Sequence, residues 1–295
     1  MRVTDRMIVN HTVDQLGRGR SRLGQLQVQV ATGRRLLRPS DDPADVERAL
    51  ALTSELRTVE NQVENLNTTR DWLSTTDQAL ARFRDLMITA RNLALRAANE
   101  TNSPNELAGM AGQAGEMLEN ALAVANARMG DYYVFSGQKI DVKPFTRDGD
   151  TVVYNGDNQV IEHMVEIGQT MPINITGVEG RNGGILNALN ELNLLREALA
   201  DGNRAGIQRF LERTQEIDED LAAAQSTVGA RLQRIDTSME RLQRRAVELK
   251  SMISRLVDAN LAETISEMTA EQRAYQMTLA ASGRMLPRSL LDYLR

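Results

Sequence analysis

Few residues in this chain have the types and spacing to do chemistry: two histidines, one pair of adjacent aspartates and one acidic, turn-rich stretch. A metal or general-base role for His11 or His163 would need a second ligand at a close spacing, as in a helical His pair, and neither has one. His163 follows Glu162 in a segment that reads as a strand, and His11 lies in an apolar-striped helix, so both are expected to be packing or interface residues. The stretch DGDTVVYNGDNQVIE (148–162) invites a calcium-loop reading. Counted from Asp150, however, the third position is Val152 and the glycine is out of register. Turn chemistry explains its Asp, Asn and Gly residues better. Asp41-Asp42 could form a carboxylate dyad, but a helix cap is the simpler account. The pieces GRGRSR and GRRLLR could bind acidic partners, although a solvated helix face is the default. Phosphate-loop, dinucleotide, nucleophile-elbow and zinc-protease motifs are absent. With no cysteine there is no thiol nucleophile, disulfide or thiolate metal site. The expectation is a non-enzyme without cofactor or metal.

Composition agrees with that reading. The 295 residues are 41% apolar and 25% charged, as in ordinary soluble proteins. Only ten are aromatic, and five of these (Tyr132, Tyr133, Phe135, Phe145 and Tyr154) fall within 132–154. That clustering predicts one small conventional core and a large aliphatic remainder. A net charge of −5 offers neither a basic footprint for nucleic acid nor a polybasic membrane patch. No apolar run is long enough for a membrane-spanning helix. The opening MRVTDRMIVNHTVDQLGRGR is broken by Arg2, Asp5, Arg6 and Asp14, so no Sec-type signal is expected.

The elements follow from periodicity and punctuation. From about Thr4 to Leu37, the residues Val9, Val13 and Leu16, then Leu23, Leu26, Val30, Gly33 and Leu37, step by threes and fours. That is a narrow seam of coiled-coil type. Gly17, Gly19 and Gly24 each weaken the helix by about 1 kcal/mol relative to Ala, so it is marginal alone. Arg38-Pro39 stops it, and Asp42-Pro43 starts the next, with Asp as cap and Pro in the first turn. The second helix runs without Pro or Gly from about Ala44 to Ala98, on the order of 80 Å. Ser103-Pro104-Asn105-Glu106 is a capping box that opens a third helix, ending near Met129-Gly130. Residues 131–180 turn β-like, with Asn155-Gly156 as a hairpin signal and strands near Tyr132–Phe135 and Met171–Ile175. Helices return over Ile185–Ala200, and one very long helix is expected from Arg204 to about Met285, its apolar stripe slipping between Leu256 and Leu261.

The fold class is therefore mainly α: an elongated rod of long antiparallel helices, N- and C-terminal helices paired, with a small inserted β-rich domain. The seams at the two ends are the informative feature. One reading is an intramolecular coiled coil; the other is assembly against neighbouring copies, which the glycine-weakened first helix favours. The residues assigned to an assembly interface are Val9, Val13, Leu16, Leu23, Leu26 and Val30 at the start. At the end they are Leu256, Ile265, Met268, Tyr275 and Leu279, followed by Leu290, Leu291 and Leu294.

The stretch ATGRRLLRPSDDPADVERALAL (31–52) resembles the N-terminal signature of the flagellin superfamily. NARMGDYYVFSG (126–137), YNGDNQVIEHMVEIGQTMPINITG (154–177) and ISEMTAEQRAYQMTLAASGRMLPRSLLDYL (265–294) resemble one branch of it, the flagellar hook-associated protein 3 family. The resemblance implies a structural subunit at the hook–filament junction. It implies export without a cleaved signal and a location outside the cell, in the flagellum. The implied partners are copies of the chain, the hook-proximal junction protein, filament flagellin and an export chaperone, with no nucleic acid and no membrane. The implied layout is a terminal helical tube domain (1–40 and 256–295), a helical rod domain (41–130 and 185–255) and a β-rich outer domain (131–184). Arg38, Pro39, Asp41, Asp42 and Pro43 would connect tube to rod. Within the superfamily the alternative is a short filament flagellin; outside it, a cytoplasmic coiled-coil scaffold.

Overall fold

A computed structural model describes residues 5–99, 102–166, 168–180 and 183–285. Among these the helices are α1 (Asp5–Thr32), α2 (Pro43–Ala97), α3 (Pro104–Ala125), α4 (Gly184–Ala200), α5 (Arg204–Val257) and α6 (Leu261–Met285). Between α3 and α4 lie β1 (Arg128–Met129), β2 (Tyr132–Tyr133), β3 (Phe145–Asp148), β4 (Thr151–Tyr154), β5 (Glu162–Glu166) and β6 (Gln169–Pro172). The chain is mainly α with a small β insertion, as its periodicity predicts. It divides into two compact units, residues 1–59 with 244–295, and residues 60–243.

The helix starts are made by local side chains. Asp42 Oδ1 accepts the Asp45 N–H at 3.1 Å, with Pro43 as the first helical residue of α2. At α3 the capping box is complete: Ser103 N–H donates to Glu106 at 2.7 Å, and Glu106 N–H donates to Ser103 Oγ at 3.3 Å. The Ser103 N–H and hydroxyl, both donating to Glu106 Oε2, hold its carboxyl below its usual range.

Three helix ends differ from the periodicity. α1 stops at Thr32 rather than Leu37, because Gly33 takes φ +70°, the left-handed conformation that closes helices. α3 stops at Ala125, where Asn126 turns its amide back to Leu122 O at 2.7 Å. The single helix expected over 204–285 is two, interrupted at Asp258–Asn260. The slip of the stripe between Leu256 and Leu261 is this break.

The second unit holds the hydrophobic core. It includes Leu73, Leu80, Phe83 and Leu93 of α2, Leu118 of α3, Leu189 and Leu192 of α4, and Ile207 and Phe210 of α5. Phe135, Phe145, Ile173 and Ile175 of the β region join it. The strands form three separate antiparallel pairs, β1–β2, β3–β4 and β5–β6. The β3–β4 turn falls at Gly149-Asp150, with Gly149 at φ +61°, not at Asn155-Gly156. Asn155 instead prolongs the ladder, its N–H donating to Pro144 O at 2.8 Å. Gly156 is required there for closeness: a Cβ would lie 2.4 Å from the Tyr154 hydroxyl oxygen.

Asparagine side chains then do the work of missing strands. Asn126 receives the Phe145 N–H at 3.0 Å and donates to Phe145 O at 3.0 Å. Asn190 on α4 receives the Val152 N–H at 2.9 Å and donates to Val152 O. Asn174 receives Ile161 N–H and donates to Gln159 O, each at 2.9 Å. A carboxamide carries one acceptor and donors in nearly peptide geometry, so each pairs with two backbone groups that the short strands leave over.

Candidate assembly interface and helix connector

In the first unit α1 packs on α6 within the same chain. The residues of α1 on a 3/4 step that lose exposure are Thr12, Leu16, Gly19, Leu23, Leu26 and Val30, with Gly24 and Gln29 beside them; those of α6 are Thr264, Met268, Glu271, Tyr275, Thr278 and Ser282. Both sets step by threes and fours, the 3.5-residue period of a coiled-coil seam. Tyr275 lies over Gly19, where a Cβ would meet its ring at 3.4 Å, an ordinary contact distance.

The seam is chemically lopsided. Four of the six α6 positions are Thr264, Glu271, Thr278 and Ser282, and the three hydroxyls donate back to carbonyls of their own chain at 2.6–2.9 Å. Glu271 reaches Arg22 at 4.0 Å. The α6 side of the pair is therefore mostly polar, and the Arg22–Glu271 contact across it is long and weak.

The residues assigned from sequence split accordingly. Leu26 is buried, and Leu16, Leu23, Val30, Leu256, Met268 and Tyr275 are half-buried. Val13 (60%), Ile265 (44%) and Leu279 (45%) stand exposed, as do Leu261 and Met277. The Val9 side chain and Leu290, Leu291 and Leu294 lie outside the described residues. So the intramolecular pairing exists and still leaves several large apolar side chains exposed.

The connector is built from two helix breaks tied to each other. Asp41 Oδ2 accepts the N–H groups of Leu37 (3.0 Å) and Arg38 (2.8 Å), which lowers its carboxyl below the usual range. Arg38 and Pro39 are exposed, and Asp42 caps α2. Neighbours that the sequence reading passed over complete it. Arg35 N–H donates to Val257 O at 2.7 Å, and Ala259 N–H donates to Gly33 O at 2.8 Å. Arg34 and Asp258 form an isolated antiparallel bridge. The Arg35 guanidinium donates to Leu256 O at 2.8 Å and to Asp45 in the first turn of α2. It thereby satisfies an end carbonyl of α5 and an N-terminal carboxylate of α2 at once. Its only sequence signal was position, an arginine two residues past a helix-stopping glycine.

The histidines sit in ordinary surroundings. His163 on β5 contacts Thr69 Oγ1 at 2.8 Å, and His11 contacts Gln15 on its own helix at 3.1 Å. Among the described residues no group of His, Asp or Glu side chains could hold a metal ion, and no helix is long and apolar enough to cross a membrane.

The bacterial flagellin N-terminal helical region matches residues 3–139, and its C-terminal helical region matches residues 211–294. This chain belongs to the flagellin family. The matched regions contain α1, α2, α3, most of α5 and α6, and so include the paired ends and the connector. Flagellar hook-associated protein 3 of Salmonella typhimurium is 25% identical over 99% of both chains. Flagellin FlaB1 of Treponema pallidum is 24% identical over 98% of this chain and all of its own. A solved structure of a flagellar hook-associated protein from Vibrio parahaemolyticus superposes with TM-score 0.69 at 21% identity, covering 74% of this chain and 100% of the other; that likeness bears on the fold. The resemblance to the hook-associated protein 3 family thus holds in sequence over the whole chain and in fold over most of it.

Proposed function

We propose that the chain is a structural subunit of the bacterial flagellum that joins the hook, through the other junction protein, to the flagellin filament. The observation that carries this reading is the full-length likeness to a hook-associated protein 3, with flagellin-type helices at both ends. The exposed flank Val13, Ile265 and Leu279 beside a polar α1–α6 seam supports assembly by packing of terminal helices against neighbouring copies. Burial of that flank offsets the roughly 1–2 kcal/mol per residue needed to order a marginal helix. Val9, Leu290, Leu291 and Leu294 are assigned to the same interface from the sequence. In this reading residues 1–40 and 256–295 form an inner assembly layer, 41–130 and 185–255 the helical layer around it, and 131–184 the outer β-bearing domain. Residues 38–43 join the first two. The subunit acts outside the cell, reached without a cleaved signal and with the help of an export chaperone. Its work is mechanical rather than catalytic.

A second reading, a filament flagellin, is favoured by the equally extensive likeness to flagellin FlaB1. Deletion of the gene, with electron microscopy of the cells and assay of the medium for flagellin, separates the two. Bare hooks with flagellin monomers in the medium are expected for a junction subunit. Bare hooks with no flagellin anywhere would make the chain the filament itself. Normal filaments in a strain with no second copy would overturn both.

A further inference from the structure

The β5–β6 hairpin is bonded to two helices through polar residues on their buried faces. On α2 the buried residues Leu66, Thr69, Leu73, Thr76 and Leu80 step by threes and fours, and Thr69 is 1% exposed. Its hydroxyl donates to Asn65 O at 3.0 Å, so its oxygen takes the Nδ1 proton of His163 on β5 at 2.8 Å. On α5, Ser238 is 2% exposed and donates to Glu166, the last residue of β5, at 3.2 Å. Glu166 also pairs with Arg241, Arg234 donates to Gln169 of β6 at 3.0 Å, and Arg231 donates to Asn174 O at 2.9 Å. Val165 and Met171 of the hairpin enter the core, while Met164 stands exposed. Among the described residues the hairpin joins no other strand. A lone two-stranded pair is marginal in water, so this one keeps its shape through docking on the helices.

We propose that the β5–β6 hairpin is a clasp across α2 and α5 that opens in acid while the helices stay folded, with His163 and Glu166 as its proton-sensitive ends. Burial disfavours the charged form of His163 and lowers its pKa. Docking is therefore at full strength above about 6.5, the ordinary histidine value, and weakens as pH falls below it. The charged neighbours of this contact are Glu162 on the same strand, whose carboxylate accepts the Thr170 hydroxyl at 2.9 Å, and Arg70 beside Thr69, paired with Asp236 of α5 at 2.9 Å. Glu166 faces Arg241, Ser238 and Arg234, and the Arg241 bond above all holds its carboxyl below the usual range. That contribution is present above about 4.5 and is lost as pH falls through the lowered value. Both ends thus loosen in the same direction. The clasp lies within residues 60–243 and does not depend on where the chain sits in the flagellum.

Because the protein has no cysteine, spin labels can be placed freely. One pair joins hairpin to helix, at exposed Met164 of β5 and Gln78 of α2; a control pair joins the two helices, at Gln78 and exposed Gln215 of α5. Pulsed dipolar distances are measured on the full chain from pH 7 to pH 4, with circular dichroism to follow helix content. The expected result is a 78–164 distribution that is narrow at pH 7 and broad below about pH 5, while the 78–215 distribution and the helix signal stay unchanged. His163→Gln keeps a donor for Thr69 but takes up no proton, so its 78–164 peak should stay narrow down to about pH 4.5. Glu166→Gln lacks the charge that Arg241 holds, so its peak should be broad already at pH 7. A 78–164 peak lost only together with the 78–215 peak and the helix signal would overturn the clasp, since the unit would then be unfolding as a whole. An unchanged acid onset in His163→Gln, or a narrow peak at pH 7 in Glu166→Gln, would overturn the role of that end.

Discussion

The two units bury their apolar residues very differently. In residues 60–243 the core runs continuously from Leu66 to Ile235 and includes Phe83, Phe135, Phe145 and Phe210, each at most 1% exposed. In the other unit, among the described residues, the buried apolar side chains are Leu26, Leu36, Ala49, Val59 and Leu249, while Val13, Val28, Leu261, Ile265, Met277, Leu279 and others stand exposed. One region is a domain whose sequence closes on itself. The other has a seam, a hydrogen-bonded connector and an uncovered flank. Stability in the first is internal; in the second, the proposed assembly would add to it by covering the exposed apolar residues. The same aliphatic residues serve both ends, and only their placement around the helix distinguishes core from interface.

The largest expected effect breaks the second unit. Phe83→Ala, at 1% exposure, should cost about 3–5 kcal/mol in denaturant unfolding of residues 60–243. Next, Ile265→Glu or Leu279→Glu should leave that unfolding transition within about 0.5 kcal/mol while abolishing incorporation into assembled flagella. Normal incorporation would remove the interface from the account.

How much of this was legible in the sequence depends on distance along the chain. The Ser103–Glu106 box and the Asp42 cap are set by residues within three positions, and both could be read directly. The stop at Gly33 was hidden because Gly33 and Leu37 continue the 3/4 step, so the stripe outran the helix that carries it. The break at 258 showed only as a slip, since Asp258–Asn260 contains no proline or glycine. Asn155-Gly156 has the composition of a hairpin turn, but Gly149-Asp150 lies where the β3 and β4 registers meet. Arg35, Asn126, Asn174 and Asn190 were invisible for one reason: their partners are 10 or more residues away, up to 221 for Arg35 and Leu256. For the α1–α6 pair, periodicity found the helices that pack together but not which side of each faces inward. Met268 and Tyr275 point into the pair, whereas Ile265 and Leu279, on the same 3/4 stripe, do not.

Smaller effects sharpen the contrast. Asn190→Ala removes both bonds to Val152 and should cost about 1–3 kcal/mol, confined to the second unit and visible in the same denaturant transition. Burial pushes the Tyr154 phenol up to about 12, which favours the neutral form in the folded state. That contribution is fully present below about pH 10, the ordinary tyrosine range, and is lost as pH rises through about 12. The second unit should show this alkaline limb in pH-dependent melts, and Tyr154→Phe should flatten it.

The central claim is that the terminal helices are stabilised from outside and the middle from within. Amide hydrogen exchange on the purified monomer, resolved along the chain, tests it most directly. The account predicts near-global protection across the buried face of α2, α3, α4 and the first half of α5, and fast exchange through α1 and α6 that slows on assembly. Protection of α1 and α6 in the free monomer equal to that of the core would contradict it.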